Sequence, residues 1–206
     1  YLRLIFRFGK RTIFWCGSDI LNLRKRSKFT KWLIRGLTFN HVCENSVEYS
    51  LLFEELTVFS KILPQFFGDP GKYQICYKHS DKPRVFATYH QDREKEYCPY
   101  NYYEEVRDID IDWFSDLSEE EFDEKIKEYQ GCIRLNVFDG FSESLAKSIL
   151  MGQYQWSEIP YDGMSHTSTP KQWLNTLKCK EKPNPLSEKW RAMLERNKKS
   201  LIKLAL

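Results

Sequence analysis

Between Val137 and Gly152 the chain reads VFDGFSESLAKSILMG, in which an acid, a glycine and two serines gather where one backbone pattern gives way to another. Ile133, Leu135 and Val137 alternate with Arg134, Asn136 and Phe138, as a half-buried strand does, and Asp139-Gly140 ends that run. Leu145, Ala146, Ile149 and Leu150 then recur at helical spacing. At such a strand-to-helix joint, free backbone N–H groups at the helix start favour an anion, Gly140 lets backbone come close to it, and Ser142 and Ser144 offer hydroxyls. The chemistry suggested is phosphate binding. The same residues also fit an ordinary capped helix start, and the joint by itself leaves both readings open.

Other reactive side chains are scattered. Glu143 and Glu158 are candidates for an acid and base pair, although nothing in the sequence sets their distance. Asp108, Asp110 and Asp112 share one face if extended, which suits either a divalent cation or a solvated strand edge. His41, His79, His90 and His166 have no partner at metal-site spacing, so no metal site and no cofactor are expected. The six cysteines show no paired C-x-x-C spacing and sit mostly in apolar stretches, pointing to a reducing, cytoplasmic compartment.

The elements that must position these groups alternate. A strand is expected at Thr12 to Cys16, a turn at Gly17-Ser18-Asp19, and a helix over Phe29 to Leu37. A strand and then a helix follow in HVCENSVEYSLLFEEL, with Asn45 and Glu48 as a capping pair, and another strand ends at Pro64. Gly68-Asp69-Pro70-Gly71 lies in a turn-rich break. Beyond it come a strand from Arg84 to Tyr89, a helix and short strand in YYEEVRDIDIDWF, and a helix from a Ser118/Glu121 capping box to about Tyr129. The joint is next. A strand in YQWSEIP, a helix capped by Thr169 with Pro170 at its first position, and a terminal helix carrying Trp190, Met193, Leu194 and Leu201 complete the chain. Alternating strands and helices on both sides of the break predict an α/β fold with mostly parallel sheets.

The 206 residues, 41% of them apolar and 16% aromatic, are enough for one large or two small cores. A net charge of +3 is too small for a general nucleic-acid binder, so no nucleic-acid partner is expected. No apolar run approaches the roughly 20 residues of a transmembrane helix. Leu2 to Arg11, with Arg3 and Arg7 beside an apolar body, reads either as a core helix with exposed arginines or as a peripheral membrane contact. The sequence begins at Tyr1, directly in helix-like sequence, which suggests a missing upstream part.

Taken in order, WCGSDIL, HVCENSVEYSLLFEEL, ILPQFF and IRLNVFDGFSESLAKSILMG resemble the latter part of a GT-B-type glycosyltransferase with two Rossmann-like domains. The resemblance covers about Ile13 to Phe67 and Gln130 to Trp156, and rests on the order of the pieces. It implies Rossmann-like parallel sheets in a GT-B-like two-lobed arrangement with the first lobe incomplete. Residues 1–67 would form the partial acceptor-side lobe, 68–81 a linker, 82–182 the donor-binding domain and 183–206 a C-terminal helix. The implied activity is transfer of a sugar from a nucleotide-diphosphate donor, bound between the domains, to a glycan or lipid-linked acceptor.

Residue by residue, the resemblance puts Asp139 in place of the family's first motif acid. Gly140, Phe141, Ser142, Glu143 and Ser144 take the turn against sugar and diphosphate. Lys147 stands where a second acid, eight residues on, usually receives the donor ribose hydroxyls; a lysine cannot accept those bonds. Either Lys147 reaches a phosphate instead, or the chain binds without transferring. Arg93 and Lys95 fall where similar enzymes set cations against the diphosphate, although Asp92, Glu94 and Glu96 could simply pair with them. Asp19, with Ser18, is the acceptor-side candidate, against the plainer reading of a Gly-Ser-Asp turn.

Overall fold

The computed structural model describes residues 12–37, 40–88, 109–136 and 138–205. They pack as two compact α/β units. One contains the chain through Phe67 together with Phe138–Phe141 and the stretch from Leu194; the other contains Gly68–Val137 and Ser142–Met193.

The first unit is built on a parallel sheet in the order β1-β2-β3: β1 Thr12–Phe14, β2 Asn40–Cys43 and β3 Ser60–Ile62. Thr12 aligns with Asn40, and His41 with Ser60. Two helices, α1 (Ser18–Arg24) and α2 (Lys28–Leu37), connect β1 to β2, and α3 (Ser46–Leu56) connects β2 to β3. The expected Gly17-Ser18-Asp19 turn is instead the entry to α1. Gly17 is its N-cap, with a φ of +37° that a side chain would strain, and Asp19 sits in the first turn, where an acid favours a helix. Asn45 caps α3 through a hydrogen bond from Glu48 N to its side chain. Ile20, Leu23, Ile34, Val42, Leu52 and Leu56 form the apolar interior.

In the second unit the parallel sheet runs β5-β4-β6-β7: β4 Val85–Thr88, β5 Ile111–Phe114, β6 Gly131–Arg134 and β7 Tyr154–Ser157. Helix α4 (Glu119–Lys125) precedes β6, α5 (Glu143–Leu150) joins β6 to β7, and α6 (Pro170–Leu177) follows. The expected Ser118/Glu121 capping box is present, and the expected Thr169 cap is also a full box with Gln172, each with reciprocal side chain and backbone bonds. The α-helix begun at Ser118 stops at Lys125 rather than Tyr129, because one 3-10 turn over Ile126–Glu128 tightens its end. Val85, Ala87, Ile133, Leu135, Trp156, Trp173 and Leu177 make one continuous cluster. Gly131 is needed there, since a Cβ would lie 2.8 Å from the Trp173 ring. The terminal helix α7 spans Ser187–Ala205 and buries Trp190 and Leu194.

Among the described residues no helix is long and apolar enough to cross a membrane. The expected helices in Leu2 to Arg11 and YYEEVRDIDIDWF, and the loop holding Arg93 and Lys95, lie outside the described residues.

Candidate functional site

Glu44 immediately follows β2, at the carboxyl end of a parallel strand, where α/β sheets bind ligands. Glu48 comes one helical turn later in α3. Both carboxyls are buried, at 4% and 0% exposure. No salt bridge reaches either among the described residues; backbone amides hold them instead. Gly17 N donates to Glu48 Oε1 at 2.5 Å and Glu44 N to Glu48 Oε2 at 2.7 Å, while Phe141 N donates to Glu44 Oε2 at 3.1 Å.

Burial dominates the electrostatics, with repulsion between neighbouring carboxyls added to it. Burial first, then the neighbouring Glu48, pushes the Glu44 carboxyl up to about 8. Burial pushes Glu48 up to about 7, against the hydrogen bonds from Glu44, Gly17 and Asn45 amides that favour its charged form. Beside them, burial followed by repulsion from Glu44, Glu48 and Asp19 raises the Cys16 thiol to about 12, which keeps it a neutral thiol. His41, the second residue of β2, accepts from Trp15 Nε1 at 3.1 Å and is lowered by burial to about 4.

The turn from the joint closes over these acids. The Asp139 carbonyl accepts from Asn45 Nδ2 at 2.7 Å, and Asp139 Oδ1 accepts from Gly140 N at 3.0 Å. Gly140 has to be glycine here because a Cβ would overlap Glu44 Oε2. A Cβ on Gly17 would come within 3.2 Å of Gly140 N. Two glycine backbones, two buried carboxyls and Asp139 therefore meet in the first unit. Such a group offers a carboxyl titrating near neutrality, backbone amides and a half-buried acid within one hydrogen-bonded cluster, the equipment of proton transfer or of hydroxyl recognition.

The expected donor residues divide. Asp139, Gly140 and Phe141 belong with Glu44 and Glu48, whereas Ser142, Glu143, Ser144 and Lys147 belong to the second unit. Ser142 precedes α5 without capping it; its hydroxyl lies 2.7 Å from that of Ser144, and Glu143 is exposed. Lys147, 3% exposed, has its ammonium 2.8 Å from Asp123 Oδ1 and 3.4 Å from Glu119 Oε1. Asp123 also receives Lys72 at 3.0 Å and the Tyr73 hydroxyl at 3.0 Å. Burial raises Asp123, but the bonds from Lys147, Lys72 and Tyr73 outweigh it and leave the carboxyl below the ordinary range. Asp19 is half-buried in the first turn of α1, near enough to Cys16 to raise its thiol, and Glu158 is half-buried. Among the described residues no cluster of three or more His, Cys, Asp or Glu is placed to hold a metal ion.

Sequence reasoning passed over Glu44 altogether and took Glu48 only as a cap partner. The available signal was position: an acid directly after the apolar run HVC, at the carboxyl end of a buried strand.

Two units of parallel strands joined by helices make this a GT-B-like α/β fold, as the sequence leads one to expect. Among solved structures the chain is similar to TarM, with a TM-score of 0.56 and 7% identity over 98% of this chain and 51% of that one. It is similar too to a point mutant of S. aureus TarM in complex with fondaparinux, alpha-GlcNAc-glycerol and UDP, with a TM-score of 0.61 and 9% identity, covering 98% of this chain and 52% of that one. A looser likeness links it to the pneumococcal O-GlcNAc transferase GtfA in complex with UDP and GlcNAc, with a TM-score of 0.42 and 12% identity over 95% of this chain and 52% of that one. The chain thus spans about half the length of the TarM chains it matches. No protein-family model matches it, and no curated protein matches it in sequence.

Proposed function

We propose that this chain serves in glycosyl transfer from a nucleotide-diphosphate sugar to a glycan or lipid-linked acceptor, with the donor as substrate and no separate cofactor. The supporting observation is Glu44, a buried carboxyl pushed to about 8 and bonded to the amide of Phe141, in the turn that the resemblance assigns to the donor. A carboxyl poised near neutrality exchanges protons readily at working pH. In this reading Asp139 lies by the sugar, and the Gly140–Phe141 turn and the start of α5 take the diphosphate. Arg93 and Lys95 offset charge developing on the departing nucleotide diphosphate. Asp19 is the acceptor-side acid.

A second reading, a glycosyltransferase-like domain that binds a nucleotide sugar, glycan or partner protein without turnover, is favoured by Lys147. It stands where the family's ribose-binding acid would be, and its ammonium is engaged by Asp123 and Glu119.

Calorimetric titration with uridine and guanosine diphosphates and their sugar conjugates tests both. Binding of one nucleotide, weakened about tenfold by Asp139→Ala, a loss near 1.4 kcal/mol, supports the donor site. Release of nucleotide diphosphate in the presence of an acceptor then separates transfer from binding alone. A folded chain that binds none of these nucleotides removes the transferase reading.

A further inference from the structure

Helix α2, Lys28–Leu37, wears its apolar stripe on the outside. Phe29, Trp32, Leu33 and Gly36 fall at the i, i+3, i+4, i+7 spacing that in an α/β protein normally faces the sheet. Here Phe29 is 66% exposed and Trp32 64%, and the residue that is buried is Ile34, on the far side of the helix. The two outer rings stack, with centroids 6.0 Å apart and planes 23° from parallel. Leu33 is half-buried, and among the described residues a Cβ at Gly36 would meet no atom within 4 Å. Leu37 extends it at the C-terminal end.

The charge around this stripe has one sign. From Ile20 to Asn40 there is no Asp or Glu, but there are Arg24, Lys25, Arg26, Lys28, Lys31 and Arg35. Arg24 and Lys31 are engaged by Glu54 and Glu55 of α3. Lys25, Arg26, Lys28 and Arg35 are exposed and make no ion pair among the described residues. Lys28 and Arg35, seven residues apart, line the edge of the aromatic stripe on the same side of the helix.

We propose that α2 and the preceding Lys25-Arg26 dock on an anionic lipid surface. Phe29 and Trp32 enter the headgroup boundary, and the four unpaired cations lie against the lipid phosphates. An outward apolar stripe edged by cations is the pattern of a helix lying in a membrane interface, and aromatic rings are the side chains best suited to that depth. A second copy of the chain is a poorer occupant, because a two-fold contact through this face would bring the Lys28 and Arg35 cations of one copy towards those of the other. The inference does not depend on the transfer reaction.

Vesicle flotation tests it. The intact chain is expected to float with phosphatidylcholine vesicles containing phosphatidylglycerol and not with phosphatidylcholine alone, with binding that falls as salt is raised. Phe29→Ser with Trp32→Ser, and separately Lys28→Glu with Arg35→Glu, should each lower the partition about tenfold or more. All four side chains are exposed, so the thermal midpoint should hardly move. Trp32→Phe keeps an apolar ring; it should still bind but lose most of the tryptophan quenching by brominated acyl chains. Failure of the intact chain to float with anionic vesicles overturns the proposal, as does flotation that neither pair of substitutions reduces. Trp32-dependent self-association seen by sedimentation velocity without lipid would assign the face to a second copy instead.

Discussion

Glu44 and Glu48 in the first unit and Asp123 in the second are all buried carboxyls, yet the protein handles them in opposite ways. Asp123 is given cations and a hydroxyl: Lys147, Lys72 and Tyr73 hold its charge, and its pKa falls. Glu44 and Glu48 receive backbone amides and each other, and both are pushed towards neutrality. Burial alone therefore does not decide whether a carboxyl is a fixed structural charge or a titrating group. The partners decide it, and in this chain the titrating pair lies against the Asp139–Phe141 turn, while Asp123 is tied to Lys147 of α5.

The contrast can be broken most forcefully at Lys147. Lys147→Ala leaves Asp123 with Lys72, which is half exposed, and Tyr73; removing one partner of a buried pair typically costs about 3 kcal/mol or more, measured as a lower denaturant midpoint. A merely solvated Lys147 would instead cost a few tenths, and that outcome would dissolve the distinction drawn here.

Glu48→Ala should cost less, about 2 kcal/mol, because the Gly17, Glu44 and Asn45 amides lose their acceptor while Glu44 loses a repelling neighbour. The same variant should bring the Glu44 titration down towards the ordinary glutamate value, which nuclear magnetic resonance of the carboxyl carbon can follow. An unmoved Glu44 would mean that burial alone sets it.

The dependence on pH has opposite signs in the two regions. Glu44 and Glu48 have folded-state values raised above the ordinary 4.5, so their contribution is whole below pH 4.5 and is lost as pH rises through about 7 and 8. Asp123 has a lowered value, so its contribution is present above the ordinary 3.8 and is lost as pH falls. Glu44→Gln should flatten the decline between pH 4.5 and 8 by up to about 1.4 kcal/mol per pH unit, read from thermal midpoints across pH, and leave the acid side unchanged. An unchanged slope would show that Glu44 titrates alike in the folded and unfolded chain.

Local signals in the sequence were read well because their physics is local. Ser118 with Glu121 and Thr169 with Pro170 announce helix starts within four residues, and both are present. Gly17-Ser18-Asp19 misled, since small and acidic residues open helices as readily as they make turns. The strand order β5-β4-β6-β7 is set by packing across the unit, which no short window contains. The candidate site was half legible. Asp139 and Gly140 stood out by composition, whereas Glu44 acquires its character only when the fold buries it beside Glu48, a condition no short window of sequence contains.

The order of that second sheet also constrains how the chain can fold. β4 is an inner strand, aligned with β5 at Val85–Ile111 on one side and with β6 at Val85–Gly131 on the other, so one of its two flanks stays open until β6 has been made and the segment between them looped back. Closing that loop has to precede the contacts that reward it, which makes pairing of β4 with β6 the natural slow step of the unit. On a ribosome, a nascent chain that ends before Gly131 carries Val85-Phe86-Ala87 on an uncovered strand edge, the form most prone to pair with a neighbouring polysome's product.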